Sequence, residues 1–254
     1  MIDGTLFLTG SLVLSGVCPI VLEALFPHLC VPVQILITVY FFMKNSPLRG
    51  PSLYLLLFLC TFFMPWFASF WLFNLLIATA VYLVVLLLFT GLKDETGWLK
   101  PGNVDRLTAV LIGGVVAASA ASLLLWSSIV EPDFTQYLAI IPRVGLPLLI
   151  AGVAGYSVCN AVLEEVLFRG VFWDGLEKVM SSTAVILVLQ AVFFGLRHYH
   201  GVPSGFVGMG LSFCYGLVLG VLRVRSGGLA APIAAHVFAD TTIAFMVLKS
   251  GGRI

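Results

Sequence analysis

Charged residues are scarce in this chain, at 10% of its 254 residues, whereas hydrophobic residues make up 60%. An average soluble protein carries about 25% charged residues. Together with the mean hydropathy of +1.10, this composition excludes a water-soluble globule and predicts a membrane protein. The net charge is +1 and there is no long basic or acidic run, so nothing indicates nucleic-acid binding or a polybasic lipid-binding segment.

The sequence also lacks paired cysteines and the features of a signal peptide. Its five cysteines lie singly in apolar segments, with no Cys-x-x-Cys spacing, which favours small buried hydrophobic residues over disulfides or metal ligands. The N-terminal Met1-Ile2-Asp3 has no positively charged region, and no convincing small-residue cleavage site follows it. We therefore expect the first apolar segment to be retained as a membrane span.

Apolar stretches approaching the ~20 residues that a helix needs to cross a bilayer fill most of the chain. The 52–92 segment is too long for one span and is expected to turn near Met64-Pro65, because proline breaks the helical ladder. We predict an all-α, polytopic membrane protein with eight or nine transmembrane helices. The apolar segments that predict these helices are residues 5–26, 29–43, 52–92, 106–130, 144–173, 183–199, 204–222 and 229–248.

Lysine and arginine in the connecting loops indicate an orientation in the membrane. If residues 52–92 form a hairpin, three basic loops fall on one side, and we expect that side and the N-terminus to be cytoplasmic. These loops contain Lys44 and Arg49; Lys93, Lys100 and Arg106; and Arg223 and Arg225. Arg143, Lys249 and Arg253 run against this orientation.

Three charged residues interrupt the apolar run from Val144 to Trp173, within the sequence LEEVLFRG that begins at Leu163. Ionisable groups at mid-helix cost at least ~2.5–3.5 kcal/mol each on insertion scales and indicate a function by default. On a helix, Glu165 and Arg169 lie four residues apart and can pair. Glu164 is turned about 100° away, with no expected partner in its own turn. A neutralised carboxylate beside a free one suits acid–base chemistry, although the pair could also be purely structural.

Two later segments carry the remaining polar residues of the predicted spans. His198 ends the helix that starts near Ser182, and His236 and Asp240 lie on one face of the last helix because they are four residues apart. Each also has a non-catalytic interpretation. His198 could be a histidine at the membrane interface, and His236 with Asp240 could be an interhelical hydrogen-bonded pair. Burying all of them with Glu164 would be costly for packing alone, so we expect a functional site. If 183–199 is a full span, however, His198 and Glu164 can meet only if the cavity is deep or that helix is short and tilted.

A series of glycines between these segments predicts a helix that packs closely against its neighbours. We expect packing rather than ligand binding from this series. Its members are Gly201, Gly205, Gly208, Gly210, Gly216 and Gly220.

The three motifs in this order resemble those of the CAAX prenyl protease and bacteriocin-processing family, which are polytopic intramembrane glutamic endopeptidases. The family pattern is Glu-Glu-x-x-x-Arg, then Phe-x-x-x-His, then His-x-x-x-Asn/Asp, and the resemblance covers roughly residues 145–248. It implies a catalytic helical core over residues 136–254. Residues 1–135 show no such resemblance, and because their spans contain few ionisable groups we expect them to form N-terminal scaffold helices. We expect an integral, multi-pass protein of a prokaryotic inner membrane. The matching residues here are Glu164, Glu165, Arg169, Phe194, His198, His236 and Asp240.

The resemblance implies that Glu164 is the general base and that His198 helps to hold the water that attacks the scissile carbonyl. His236 and the residue at position 240 would donate hydrogen bonds to the oxyanion. The aspartate at this position departs from the better-studied prenyl proteases, which have asparagine, because an ionised aspartate cannot donate. Asp240 must therefore be protonated, orient His236 or help to bind a metal.

Three further residues receive supporting roles from the resemblance. Arg169 would hold Glu165 and orient the helix, and Phe194 is predicted to contact the substrate. The expected partners are a membrane-associated peptide or protein substrate and the lipid bilayer, with no nucleic acid. A prenylated C-terminus, a bacteriocin leader and a sorting-signal tail all fit such a site.

Two alternatives stay open at this point. Glu164, His198, His236 and Asp240 are all possible zinc ligands, so a zinc-dependent metalloprotease is an alternative to the metal-free, cofactor-free chemistry that we favour. A non-enzymatic transporter or scaffold is the other alternative, because transporters also contain intramembrane ion sites. The lack of an inverted repeat, and the concentration of polar residues in one half of the chain, weigh against it.

Overall fold

The computed structural model describes residues 3–7, 26–61 and 71–254. Within these ranges every regular element is a helix and no strand occurs, which confirms the all-α prediction. Residues 3–7 are helical. The subsequent α-helices are α1 (Phe26–Met43), α2 (Arg49–Thr61), α3 (Trp71–Leu88), α4 (Arg106–Val130), α5 (Thr135–Ile140), α6 (Leu146–Glu165), α7 (Trp173–Glu177), α8 (Thr183–Arg197), α9 (Gly205–Ser226) and α10 (Ala230–Ser250).

Five helices in the described ranges are long and apolar enough to cross a membrane. They are α3, α4, α9, α10 and the continuous helix Leu146–Glu177, in which a π-helical segment (Val166–Phe172) joins α6 to α7. A shorter apolar helix covers Cys30–Met43. The chain is therefore a multi-pass integral membrane protein, but the described residues do not confirm a count of eight or nine spans.

Three of the predicted segments differ from the structure or cannot be fully compared with it. The segment 183–199 corresponds to α8, whose 15 residues reach only ~22 Å at about 1.5 Å per residue, so it is too short for a full span. Most of segment 5–26, and the predicted break at Met64-Pro65, lie outside the described residues.

Local capping explains why α4 begins and ends at the predicted residues. The side chain of Asp105 accepts a hydrogen bond from the backbone N–H of Thr108 at 2.7 Å, as an N-cap residue does. Bonding to Thr108, and then the charge of Arg225, hold the pKa of the Asp105 carboxyl below its usual value. At the other end Glu131 takes a left-handed conformation with φ 49°, which terminates the helix.

The main hydrophobic core lies between α2, α3, the π-helical segment and α8. Its fully buried side chains include Tyr54, Leu75, Val171 and Phe193. By contrast, only 11% of the apolar window of α4 is buried, so most of this helix presents hydrophobic side chains outward, as expected of a helix that faces lipid.

Close packing between α8 and α9 depends on two of the predicted glycines. A Cβ at Gly216 would lie 3.1 Å from the Cα of Ala191, and one at Gly220 would lie 2.7 Å from a methyl group of Leu187. Around Gly205 and Gly210 a Cβ would meet nothing within 4 Å. The packing prediction therefore holds for the part of α9 that crosses α8 and is wrong at those two positions.

The three basic loops lie together at one end of the molecule. Arg49 pairs with Glu95 at 2.7 Å, and the backbone N–H of Leu229 donates to the carbonyl of Lys100 at 2.9 Å. At the opposite end, Arg253 donates to carbonyl oxygens of the loop before α6. The predicted grouping of basic loops is thus present, whereas the side of the membrane that they face stays a prediction.

Candidate active site

The two adjacent glutamates end α6 at the point where the helix becomes π-helical. The π-helical segment contains Arg169 and Gly170, and such segments occur frequently at functional sites because the extra residue changes the direction of the side chains. Position 170 requires glycine because the ring of Trp98 packs against it, and a Cβ there would lie 2.5 Å from that ring. The indole of Trp98 therefore packs directly on the backbone of the segment.

Glu165 forms the most deeply buried contacts of the site. Its Oε1 accepts hydrogen bonds from Nη1 of Arg169 at 2.9 Å and from Nδ1 of His236 at 2.7 Å. Glu165 and Arg169 are both 0% exposed, and Nη2 of Arg169 donates to the carbonyl of Gly216 at 3.0 Å. The predicted Glu165–Arg169 pair is confirmed, and the contact with His236 is an addition that the sequence did not indicate.

Glu164 has one carboxylate oxygen engaged and one free. Its Oε1 accepts from Nε1 of Trp71 at 2.7 Å and from Nδ2 of Asn160 at 3.3 Å. Its Oε2 is buried, has no hydrogen-bond partner among the described residues and lies 3.8 Å from Nε2 of His236. The expectation that Glu164 has no partner in its own turn is wrong, because Asn160, four residues earlier, lies on the same face of α6.

Asp240 joins this group from α10. Its Oδ1 lies 3.7 Å from Nε2 of His236, which confirms that the two share a helix face but is too long for a hydrogen bond. Its Oδ2 accepts from Nδ2 of Asn160 at 3.0 Å. The amide of Asn160 therefore contacts both Asp240 and Glu164, and the side chain at position 240 acts as an acceptor in this structure.

His198 lies beside the group rather than within it. Its Nδ1 is 2.8 Å from the carbonyl oxygen of Phe194, and its ring lies 4.5 Å from the ring of Phe194. The same phenylalanine ring lies 5.9 Å from that of His236. Glu164 and His236 both act on His198 electrostatically. Because α8 is too short for a full span, the difficulty expected for a full span does not arise.

Phe194 fills the space between the two histidines. The guanidinium of Arg169 lies over its ring at 4.5 Å, and Phe168 meets it edge to face at 5.1 Å. Phe194 is only 1% exposed, so it packs the base of the site. Contact with the substrate stays a prediction for this residue.

Three contacting residues were not predicted from the sequence. Asn160 could have been found, because it is a polar residue placed four positions before Glu164 in an apolar span. Trp71 gave no signal, since 93 positions separate it from Glu164 and tryptophan is common in membrane helices. Arg197, whose guanidinium lies 4.3 Å from the centre of the Trp71 ring, was passed over because the motif points to its neighbour His198.

The residues of the zinc alternative do not fit a metal site in this structure. Within the described ranges, no group of three or more His, Cys, Asp or Glu side chains is arranged to hold a metal ion. Nδ1 of His236 is engaged by Glu165 and Nδ1 of His198 by a backbone carbonyl, so each ring could offer only Nε2 to a metal. We therefore derive no step through zinc.

Comparison with known proteins supports the interpretation of the motifs. Residues 145–242 match a family model described as type II CAAX prenyl endopeptidase Rce1-like. The match covers about two fifths of the chain, includes all three motifs, and confirms the resemblance to the CAAX protease family. Trp71 lies outside it. No curated protein and no solved structure shows significant similarity to the chain.

Proposed function

Because residues 145–242 match the Rce1-like CAAX prenyl endopeptidases, which are proteases, we propose that this chain is an intramembrane glutamic endopeptidase. It would hydrolyse a peptide bond of a membrane-associated peptide or protein. The observation that supports this best is Oε2 of Glu164, which is buried without a hydrogen-bond partner among the described residues and lies 3.8 Å from Nε2 of His236. The family match also favours a protease over the transporter or scaffold alternative.

The nucleophilic water would bind between Glu164 and His236. Two atoms 3.8 Å apart can both contact one water at hydrogen-bond distances of about 2.8 Å. Oε2 of Glu164 would take a proton from this water as the water oxygen attacks the carbonyl carbon, which is general-base catalysis. The protonated Glu164 would then give this proton to the amide nitrogen as the C–N bond breaks and the amine leaves. Oε1 is unsuited to that role because Trp71 and Asn160 already donate to it.

His236 would stabilise the oxyanion of the tetrahedral intermediate. The ionised Glu165, held by Arg169, requires Nδ1 of His236 to be the donor in their 2.7 Å contact, so the orientation of the ring is set. With a second proton on Nε2, the imidazolium would donate first to the bound water and then to the carbonyl oxygen as negative charge develops on it. That positive charge suits a site with three carboxylates, since Glu164 and Asp240 both face Nε2.

Asp240 would act through His236 rather than on the substrate. An electrostatic effect on Nε2 of His236 fits best, because Oδ2 of Asp240 accepts from Asn160 and its Oδ1 faces Nε2 at 3.7 Å, beyond hydrogen-bond distance. His198 would assist in holding the water or the peptide through Nε2, since its Nδ1 is engaged with its own helix. The roles of Asp240 and His198, and the contact of Phe194 with the substrate, remain proposals.

The test is cleavage of an internally quenched, farnesylated CAAX-type peptide by the purified chain in lipid vesicles. Glu164→Gln is expected to lower kcat by about 10²–10⁴-fold, the range for loss of a general base, with little change in the unfolding temperature. Glu165→Gln is expected to lower the unfolding temperature as well, because it leaves the buried Arg169 without its charge partner.

Glu131→Gln, in an exposed loop, is the matched control and is expected to cleave like the wild type. Full activity of Glu164→Gln would remove the assignment of the base. A far greater loss in Glu165→Gln at unchanged stability would show that the two glutamates have exchanged roles.

A further inference from the structure

Trp71 connects the N-terminal half of the chain to the candidate active site. It is the first residue of α3, and its indole N–H donates to Oε1 of Glu164 at 2.7 Å. Such a bond to a carboxylate is shorter and stronger than one between neutral groups. Because Trp71 lies outside residues 145–242, nothing in the family match accounts for this contact.

Two neighbours hold the indole ring in place. The ring of Phe58 in α2 meets it edge to face, with centroids 5.1 Å apart. On α8 the guanidinium of Arg197 lies 4.3 Å from the ring centre, a distance typical of a cation–π interaction. The orientation of Trp71 is thus determined by helices on two sides.

Arg197 has no carboxylate partner in the described part of the chain. Among the described residues, no ion pair involves its guanidinium and no hydrogen bond reaches its buried Nε. The groups that compensate its charge are the face of Trp71 and the negative charge of Glu164, which acts on it electrostatically. A cation over the ring also draws electron density from the indole, which makes its N–H a stronger donor.

The consequence for Glu164 is that its two oxygens are no longer equivalent. Trp71 and Asn160 both donate to Oε1, and Oε2 is left free toward His236. Without the indole N–H, only the longer 3.3 Å bond from Asn160 would orient the carboxylate. The free oxygen would then point away from the water for part of the time.

We propose that Trp71, supported by Arg197, is a positioning residue that holds Glu164 with Oε2 directed at the nucleophilic water. This inference rests on the proposed protease function. It also means that the N-terminal helices, which the sequence indicates only as a scaffold, complete the active site.

Trp71→Phe tests the role in turnover with the farnesylated peptide. Phenylalanine keeps an aromatic ring beside Phe58 and Arg197 but removes the N–H. We expect kcat to fall about tenfold or more, the effect of losing a hydrogen bond to a charged group, while KM changes less than about threefold. Trp126→Phe is the control, because the N–H of this buried tryptophan has no hydrogen-bond partner among the described residues.

Arg197 is tested by a pair of substitutions. Arg197→Met removes the charge and keeps much of the side-chain volume, so it is expected to lower kcat several-fold. Arg197→Lys keeps a cation over the ring and is expected to retain more activity than Arg197→Met. Equal activity of both variants and the wild type would overturn the supporting role of Arg197.

A spectroscopic measurement tests the contact without any substrate. In ¹⁵N-tryptophan-labelled protein, the indole N–H signal of Trp71 is identified by its disappearance in Trp71→Phe. Glu164→Gln replaces the charged acceptor with a neutral one, so this signal should move, while those of Trp98 and Trp126 should not.

The outcomes separate the two proposals. An unmoved Trp71 signal, or a Trp71→Phe variant with the kcat of Trp126→Phe, would overturn the positioning role. A wild-type protein that does not cleave the peptide would count against the proposed function, while the Trp71 signal still decides whether the indole binds Glu164.

Discussion

Asn160 donates hydrogen bonds to two carboxylates of the candidate site from a single amide group. Its amide nitrogen donates to Glu164 and Asp240 from distances of 3.3 Å and 3.0 Å. Two like charges in a low-dielectric environment repel each other strongly, and a shared donor offsets part of that repulsion. Asn160 therefore links α6 to α10 at the point where His236 lies opposite Glu164.

Substitution of this amide should cost both stability and activity. Asn160→Leu leaves Asp240 without its donor, so we expect the free energy of unfolding to fall by about 1–3 kcal/mol, the penalty of an unsatisfied buried group. Peptide cleavage should fall with it. Thermal unfolding in detergent and the quenched-peptide assay measure the two effects.

Asn74→Leu is the control for Asn160→Leu in the same protein. It is 1% exposed, and neither atom of its amide has a hydrogen-bond partner among the described residues. Asn74→Leu is therefore expected to be neutral or stabilising, because it removes a buried polar group that gains nothing. If both asparagine variants lost the same stability, the amide bridge at Asn160 would not be the cause.

At the scale of secondary-structure elements, the short α8 and its packing against α9 determine where His198 lies. The two helices approach closely at Gly195, where an added Cβ would lie 2.8 Å from the backbone oxygen of Met209. Backbone cannot rotate away as a side chain can, so the helices would have to separate. Such a shift would also move His198, three residues further along.

Gly195→Ala is therefore expected to destabilise the protein by about 1–3 kcal/mol, as overpacking does. Gly210→Ala is the matched control, since an added Cβ there meets nothing within 4 Å. Gly210→Ala should leave the free energy of unfolding unchanged, or raise it by up to about 1 kcal/mol because alanine has the higher helix propensity. Unfolding temperatures in detergent measure both, and equal values would show that the close approach at Gly195 is easily relaxed.

At the scale of the whole molecule, the charged loops divide the protein into two ends. The basic loops meet at one end, and the loop that contains Glu131 leads into α5 at the other. By the positive-inside rule, we expect the basic end to be cytoplasmic. The location of the whole protein in a prokaryotic inner membrane likewise stays a prediction.

Single cysteines in a chain whose native cysteines are replaced by alanine test this orientation. Asn103→Cys lies at the basic end and Gln136→Cys at the other, and both positions are exposed. A membrane-impermeant maleimide added to intact cells should label Gln136→Cys, whereas Asn103→Cys should react only in inverted vesicles. The opposite labelling pattern would reverse the orientation.

Much of the fold and part of the site could be predicted from the sequence, because both depend on local periodicity and composition. Apolar runs located the described spanning helices, and capping by Asp105 fits the predicted start of α4. Four-residue spacing placed Glu165 with Arg169 and His236 with Asp240 on shared faces. Such relations hold within one helix and need no knowledge of its neighbours.

The sequence by itself determined that this protein lies in a membrane, is built of helices and buries a set of acidic and histidine residues in its C-terminal half. Only the tertiary structure decided which of them touch. His236 bonds to Glu165 across 71 positions and Trp71 to Glu164 across 93. Contacts between helices depend on the length of α8, the π-helical turn and the packing at Gly216, and no single segment of sequence contains that information.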